Sequence, residues 1–273
     1  MSSVSDEQLL QLFDTAPRIH DYGGLRIVRI SKTLVLKGGI GVASSESQNM
    51  VFAREVFHLA VPRLHRIFQA DIPNTGFPGL SKGYFFVMDY IAGPTVEACW
   101  GSLDSSQQQS VAAQVAKAIE MLQSKPLQLP PGPVGPRNDE KFEGPWFTDY
   151  GAGPFRTLKD LENWFNHKID VCLKFNQISK EAARLRFKFP EMVFTHQDIA
   201  PRNLILDDKG KVWVIDWGVA GVYPPGFEQA ALCLQSKNKE FAEMVLAGLS
   251  NRQEKVMEQY SMIGYGLSVA ARH

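Results

Sequence analysis

Four side chains able to do chemistry fall close together in the chain: His196, Asp198, Asn203 and Asp216. Asn203 stands five positions after Asp198, and Asp216 thirteen after Asn203. The stretch reads as two short apolar strands, 192–194 and 204–206, on either side of a polar turn. A third strand, 212–215, follows the hairpin turn Asp207-Asp208-Lys209-Gly210. The amide oxygen of Asn203 and the carboxylate of Asp216 are hard ligands of the kind Mg²⁺ prefers, whereas Asp198 suits the acceptance of a proton from a hydroxyl. A metal clamp on phosphates together with a carboxylate that orients the nucleophile is the division of labour phosphoryl transfer requires. Turn capping would account for any one of these residues alone; three elements at these spacings on a strand–turn–strand frame point to a site.

The rest of the composition fits a protein that handles small molecules. With 273 residues the chain can bury a substantial core as one domain or a bilobal unit. Lys plus Arg and Asp plus Glu are balanced at 29 each, so no overall field attracts nucleic acid or an anionic membrane. Cys99, Cys172 and Cys233 are scattered and lack metal spacing, and read as small core residues in a reducing compartment. No apolar run reaches the ~18 residues of a membrane span, and Asp6 and Glu7 replace the basic region of a signal peptide. A cytoplasmic protein is expected.

The elements that must position the site begin with a helix over 5–13, capped by Ser5 with Gln8 completing a capping box, and expected to pack on the neighbouring sheet. Strands are expected at 25–30, 33–37, 66–70 and 84–88, within a lobe of five strands and one helix. That helix starts at Ser44 or Ser45 and runs to about Ala60, with Phe52, Val56, Leu59 and Ala60 as its apolar stripe. Glu55 borders that stripe and needs a partner; Lys37, ending the second strand, is the candidate. The segment Asp89 to Pro94 then breaks the last strand.

Beyond it, Asp104 with Gln107 caps a helix to about Ser124 whose Val111, Val115, Ile119 and Leu122 face inward. Residues 125–154 are rich in Pro, Gly and aromatics, and Trp146, Phe147, Tyr150 and Phe155 argue for an ordered segment. A helix over 158–175 turns Leu161, Trp164, Phe165, Ile169 and Leu173 inward; a shorter one over 181–187 is basic outside. After a Pro-rich turn at 223–228, two or three helices complete the chain.

The H-x-D-x-x-x-x-N element ending at Asn203, followed by Ile215-Asp216-Trp217-Gly218, resembles the catalytic and metal loops of the aminoglycoside phosphotransferase and choline kinase-like family, which shares the protein-kinase fold. The likeness runs from about Leu25 to the C-terminus and resembles especially the family's fungal members. It implies an α+β, bilobal protein-kinase-like fold: a nucleotide-binding lobe over 1–90 built on a small antiparallel sheet, and a mainly helical lobe over 91–273. It also implies ATP and Mg²⁺ as cofactors and a small hydroxylated molecule as the partner. Asp198 would be the catalytic residue, and Asn203 and Asp216 the metal ligands. Lys37 would steady the phosphates with Glu55 behind it, and the backbone of Asp89 and Ile91 would bind adenine. By the same resemblance His196 braces the loop, residues 125–154 lie across the front of the substrate cleft, and Glu228 stands near the acceptor pocket.

The chain departs from the protein-kinase pattern in four places. Gln197 replaces an arginine, Ala200 stands where protein kinases carry a lysine, no A-P-E-like segment follows Gly218, and no G-x-G-x-x-G loop precedes the lysine strand. Arg202 is the nearby cation, facing either the γ-phosphate or solvent. These departures exclude a protein kinase and leave two readings: a small-molecule O-phosphotransferase, or a kinase-shaped fold kept as a binding module or run for another reaction.

Overall fold

The computed structural model describes residues 4–72, 81–135, 141–148, 150–181, 191–234 and 239–269. Its N-terminal part is an antiparallel sheet of five strands: β1 (Arg18–Tyr22), β2 (Leu25–Arg29), β3 (Leu34–Gly39), β4 (Leu64–Asp71) and β5 (Lys82–Asp89), in the order β1-β2-β3-β5-β4. The first strand was not anticipated. All five of its residues are exposed on the sheet edge, so it carries none of the in–out alternation that marks a half-buried strand.

Successive residues of a strand face opposite ways, and the central strand β3 uses this to build two different surfaces. Leu36 joins Val28, Phe68, Phe85 and Val87 on the outer face, covered by Leu9 and Phe13 of α1 (Asp6–Thr15). The Ser5–Gln8 capping box closes that helix, which lies on the sheet as expected. Val35 points the other way, into the core shared with α2 (Glu46–Phe57), and Lys37 follows it onto this inner side. Helix α2 buries Met50, Ala53 and Phe57 rather than the stripe through Phe52 and Val56, which are only partly covered. Three polar residues, Glu46, Ser47 and Asn49, are buried with them. The helix therefore lacks a clean amphipathic pattern, and its phase could not be read from apolar residues alone.

Past β5 the chain crosses to the helical part. Tyr90 N–H donates to Thr33 O at 2.7 Å, and the Arg29 guanidinium stacks 3.9 Å from the Tyr90 ring centroid. At Gly93, with φ of 153°, a Cβ would lie 2.1 Å from Leu206 O, so only glycine lets the crossing pass this close to the catalytic part.

The helical part holds α3 (Val96–Cys99), α4 (Ser105–Gln123), α5 (Leu158–Lys174), α6 (Phe227–Cys233), α7 (Lys239–Ala247), α8 (Glu254–Met262) and α9 (Gly264–Val269). Two small antiparallel pairs sit between the sheet and these helices: β6 (Val193–Thr195) with β9 (Gly221–Tyr223), and β7 (Leu204–Leu206) with β8 (Val212–Val214). The Asp104–Gln107 capping box and the inward face of α4 match the sequence expectation.

The proline- and aromatic-rich stretch before α5 contributes to a second core. Phe142, Trp146, Phe147 and Phe155 pack with Phe165, Tyr223, Phe227 and Tyr260, and Trp146 Nε1–H donates to Phe227 O at 3.2 Å. Tyr150 is exposed, against the expectation that all these aromatics would be covered. The three cysteines are free thiols; Cys172 is buried, but Cys233 is exposed and is not a core residue. The expected helix over 181–187 lies outside the described residues.

Candidate active site

The loop after β6 is held by buried groups on every side. His196 Nε2–H donates to Ile215 O at 3.0 Å, while Nδ1 accepts the Asp198 N–H at 3.2 Å. Those two bonds require the neutral tautomer with its proton on Nε2. Burial pushes the imidazole's pKa below its ordinary value, which keeps it in that form. Gln197 takes a positive φ of 66°, a conformation a non-glycine residue holds only when its surroundings enforce it. Its Nε2 donates to Val219 O at 2.7 Å. Its N–H, and that of His196, both donate to Glu228 Oε2, at 3.0 and 2.5 Å.

That contact changes the reading of Glu228. It is not an acid of an open acceptor pocket: it is buried in the first turn of α6 and clasps the main chain just ahead of Asp198. Burial raises its carboxyl to about 7, with the loop amides working in the opposite direction. Oε1 has no hydrogen-bond partner among the described residues.

Asp198 is about a quarter exposed. Arg202 Nη2 lies 2.5 Å from its Oδ1, and Asn203 Nδ2 donates to its Oδ2 at 2.8 Å and its main-chain O at 2.9 Å. Arg202 is thus ion-paired to Asp198 in this state. Because the Asn203 amide nitrogen is committed to Asp198, its amide oxygen is the atom left to serve as a ligand. Ile215 N–H donates to Asn203 O at 3.0 Å, so Asn203 and Asp216 are tied side by side across the β7–β8 unit.

Asp216 also has a φ of 66°. Its Oδ1 meets Lys37 Nζ at 2.7 Å, and Lys37 reaches Glu46 Oε1 at 2.6 Å. Burial works against the lysine's charge, but the two carboxylates outweigh it and hold its pKa above the ordinary value. Glu46, wholly buried, is pushed up by desolvation despite Lys37. The arithmetic of charge explains both directions: one cation faces two acids, so the cluster favours a protonated lysine and keeps one carboxylate under pressure to neutralise.

Glu46, not Glu55, is therefore the partner of Lys37. Glu55 lies nine residues further along α2, about two and a half turns, which carries it to the opposite side of the helix. There its side chain is 70% exposed and meets only Arg54, at 3.8 Å. The signal for Glu46 was its place in the first turn, where an acid also suits the helix dipole. Asn49, one turn on, adds to the clamp: its Nδ2 donates to Trp217 O at 3.1 Å and Ala220 O at 2.9 Å.

At the crossing between the two parts, Asp89 N–H donates to Arg63 O at 3.0 Å, and its carboxylate is taken up by Arg63 N–H and His65. Ile91 follows two positions later, half-buried. No glycine-rich loop covers the cleft. Instead β1 and β2 are joined by the two-residue turn Gly23-Gly24, with φ of 63° and 79°. Gly41 N–H donates to Gly24 O at 3.1 Å, fastening the turn to the segment that follows Lys37.

The donor set fits a magnesium ion: one amide oxygen and one carboxylate are held on adjacent strand ends, a pair that such an ion completes with waters and substrate phosphates. A cationic lysine reaches the same carboxylate. Beside it, a cavity of about 300 Å³ opens between the residues after Lys37 and the stretch bearing Lys141 and Glu143.

Comparison with solved structures reveals the same architecture. Aminoglycoside phosphotransferase APH(4)-Ia matches at 18% identity over 98% of this chain and 90% of its own, with a TM-score of 0.64. The streptomycin–ATP complex of APH(2")-IIa matches at 17% identity over 95% and 86%, TM-score 0.53. ADP-bound APH(2'')-Ib matches at 17% identity over 99% and 93%, TM-score 0.53. At these identities the likeness is one of fold, the bilobal kinase-like fold of the aminoglycoside kinases. No curated protein matches the chain in sequence. A family model described as "Phosphotransferase enzyme family" covers residues 50–261, a span that takes in Asp198, Asn203 and Asp216. The chain belongs to that phosphotransferase enzyme family.

Proposed function

We propose that this protein transfers a phosphoryl group from ATP to a hydroxyl of a small molecule. One observation carries the reading: Lys37 on β3 and Asp216 beyond β8, 179 positions apart in sequence, meet at 2.7 Å beside the loop that holds Asp198 and Asn203. A buried cation and an acid brought together from two parts of the fold suit the binding of a polyphosphate. Asp198 orients the acceptor hydroxyl and takes its proton; in a loose transition state this is mainly positioning, so a weak base suffices. That role requires Arg202 to yield its hold on one oxygen, and a γ-phosphate offers the guanidinium an alternative partner. Lys37 steadies the phosphates, and the backbone of Asp89 and Ile91 meets the adenine. Asn203 and Asp216 would hold Mg²⁺, which when bound neutralises phosphate charge. The nucleotide-binding lobe spans 1–90 and the catalytic lobe 91–273.

Titration calorimetry with ATP, with and without Mg²⁺, combined with an assay of ADP release, tests the reading. Magnesium-dependent binding with slow hydrolysis is expected, water standing in for the acceptor. Binding without hydrolysis, and without transfer to any hydroxylated compound, would make the protein a nucleotide-binding module. Absence of binding would end the phosphotransferase reading altogether.

A further inference from the structure

The cavity beside Asp216 bears on the chemical class of the acceptor, and the argument rests on the phosphotransferase reading above. Its walls are apolar, formed by Ile40, Val42, Pro133 and Val219. It adjoins both halves of the site. Val219 O accepts the Gln197 side chain at 2.7 Å, one residue from Asp198, and Gly218 in its lining lies two residues past Asp216. Gly144 comes so close to Gln197 that a Cβ there would be 2.9 Å from its Oε1.

The charge at this cavity is a single pair. Phe142 exchanges both main-chain hydrogen bonds with Ala152, at 2.7 and 3.0 Å, so the chain is extended there. With Phe142 buried in the aromatic core, Lys141 and Glu143 on either side of it turn the other way, and both line the cavity. Lys141 Nζ donates to Tyr150 O at 3.1 Å, which uses one of its three protons. Glu46, the other acid nearby, is committed to Lys37. A polycation would need several carboxylates and would meet Lys141 as a like charge. At about 300 Å³ the space is also at the low end for ligand pockets.

We infer that the acceptor is a compact hydroxylated amino acid, with its ammonium on Glu143, its carboxylate on Lys141 and its hydroxyl directed inward. In the transfer, the hydroxyl oxygen bonds to the γ-phosphorus of the nucleoside triphosphate, the bridging β–γ P–O bond breaks to release the diphosphate, and the hydroxyl proton passes to Asp198.

The test measures ADP release from Mg-ATP in the presence of L-homoserine, 5-hydroxy-L-norvaline, N-acetyl-L-homoserine, glycerol and kanamycin, with calorimetry of Mg-ATP alongside. The free amino acids should raise turnover above the water background, while glycerol and kanamycin should not. Glu143→Gln should lose about three- to tenfold in kcat/KM toward L-homoserine, the contribution of one rim charge pair. N-acetylation should cost wild type a similar factor and cost Glu143→Gln nothing further. Kanamycin used as well as the amino acids, or an unchanged preference in Glu143→Gln, would overturn the inference. So would intact Mg-ATP binding with no turnover of either amino acid. Failure to bind Mg-ATP would bring down the phosphotransferase reading beneath it and this inference together.

Discussion

At the scale of single residues, the two glutamates of α2 give the sharpest contrast. Glu46 shares Lys37 with Asp216 inside the protein, while Glu55 lies on the surface. Glu46→Gln leaves a buried lysine with one of its two partners, and breaking a buried pair costs on the order of 3–5 kcal/mol. Glu55→Gln should stay within about 0.5 kcal/mol, as surface changes do. Urea denaturation of both variants and their Mg-ATP affinities check this; equal effects would mean that Lys37 does not depend on Glu46. Asp198→Asn tests a different quantity. The variant keeps the shape and hydrogen-bonding reach of the side chain but cannot take up the proton. It should bind Mg-ATP nearly as wild type does and lose roughly 10²–10⁴-fold in turnover, the span of a positioned general base. Full activity would place the proton acceptor elsewhere.

At the scale of elements, α6 governs the catalytic loop through Glu228. Its Oε2 takes two main-chain N–H groups of a segment whose Gln197 is held at positive φ. The folded protein raises this carboxyl from 4.5 to about 7. Between those values the folded chain holds a proton that the unfolded chain has lost. Stability from this group is therefore full below about 4.5, falls as pH rises through about 7, and is lowest above it. The size is on the order of 3 kcal/mol. Glu228→Gln keeps an oxygen for both N–H groups without the charge, so it should flatten that slope and be the more stable protein at pH 8. Urea midpoints at pH 5 and pH 8 decide the matter: a slope unchanged in the variant would remove Glu228 as its source.

At the scale of the whole molecule, the sheet and the helical part are coupled through one cluster. β3 supplies Lys37, α2 supplies Glu46 and Asn49, and the turn after β8 supplies Asp216 and the Trp217 carbonyl. A ligand that binds between them should stabilise the folded protein by mass action, about 2.7 kcal/mol at a hundred times its Kd. Thermal unfolding with ATP should show the full shift only when Mg²⁺ is present. Asp216→Asn should lose that magnesium-dependent part, because one carboxylate fewer leaves the triphosphate charge less neutralised. An equal shift in Asp216→Asn would separate Asp216 from the metal.

The parts of this protein that the sequence determined by itself are those governed by short separations. Asp198 and Asn203 lie on one turn, Asp216 follows one hairpin later, and the caps at Ser5 and Asp104 are built within three residues of themselves. Local geometry suffices for such features, and the motif spacing carried the fold class with it. Tertiary structure decided what depends on which surfaces meet. The phase of α2 was set by the sheet it packs on, and this selected Glu46 over Glu55, since the helix buries polar groups alongside apolar ones and gives no clean stripe to follow. The edge strand β1 is exposed along its whole length and leaves no periodic trace. Glu228 found its partners in main-chain N–H groups more than thirty positions away, and every residue but proline offers the same donor, so nothing in the amino-acid types could have pointed to those two.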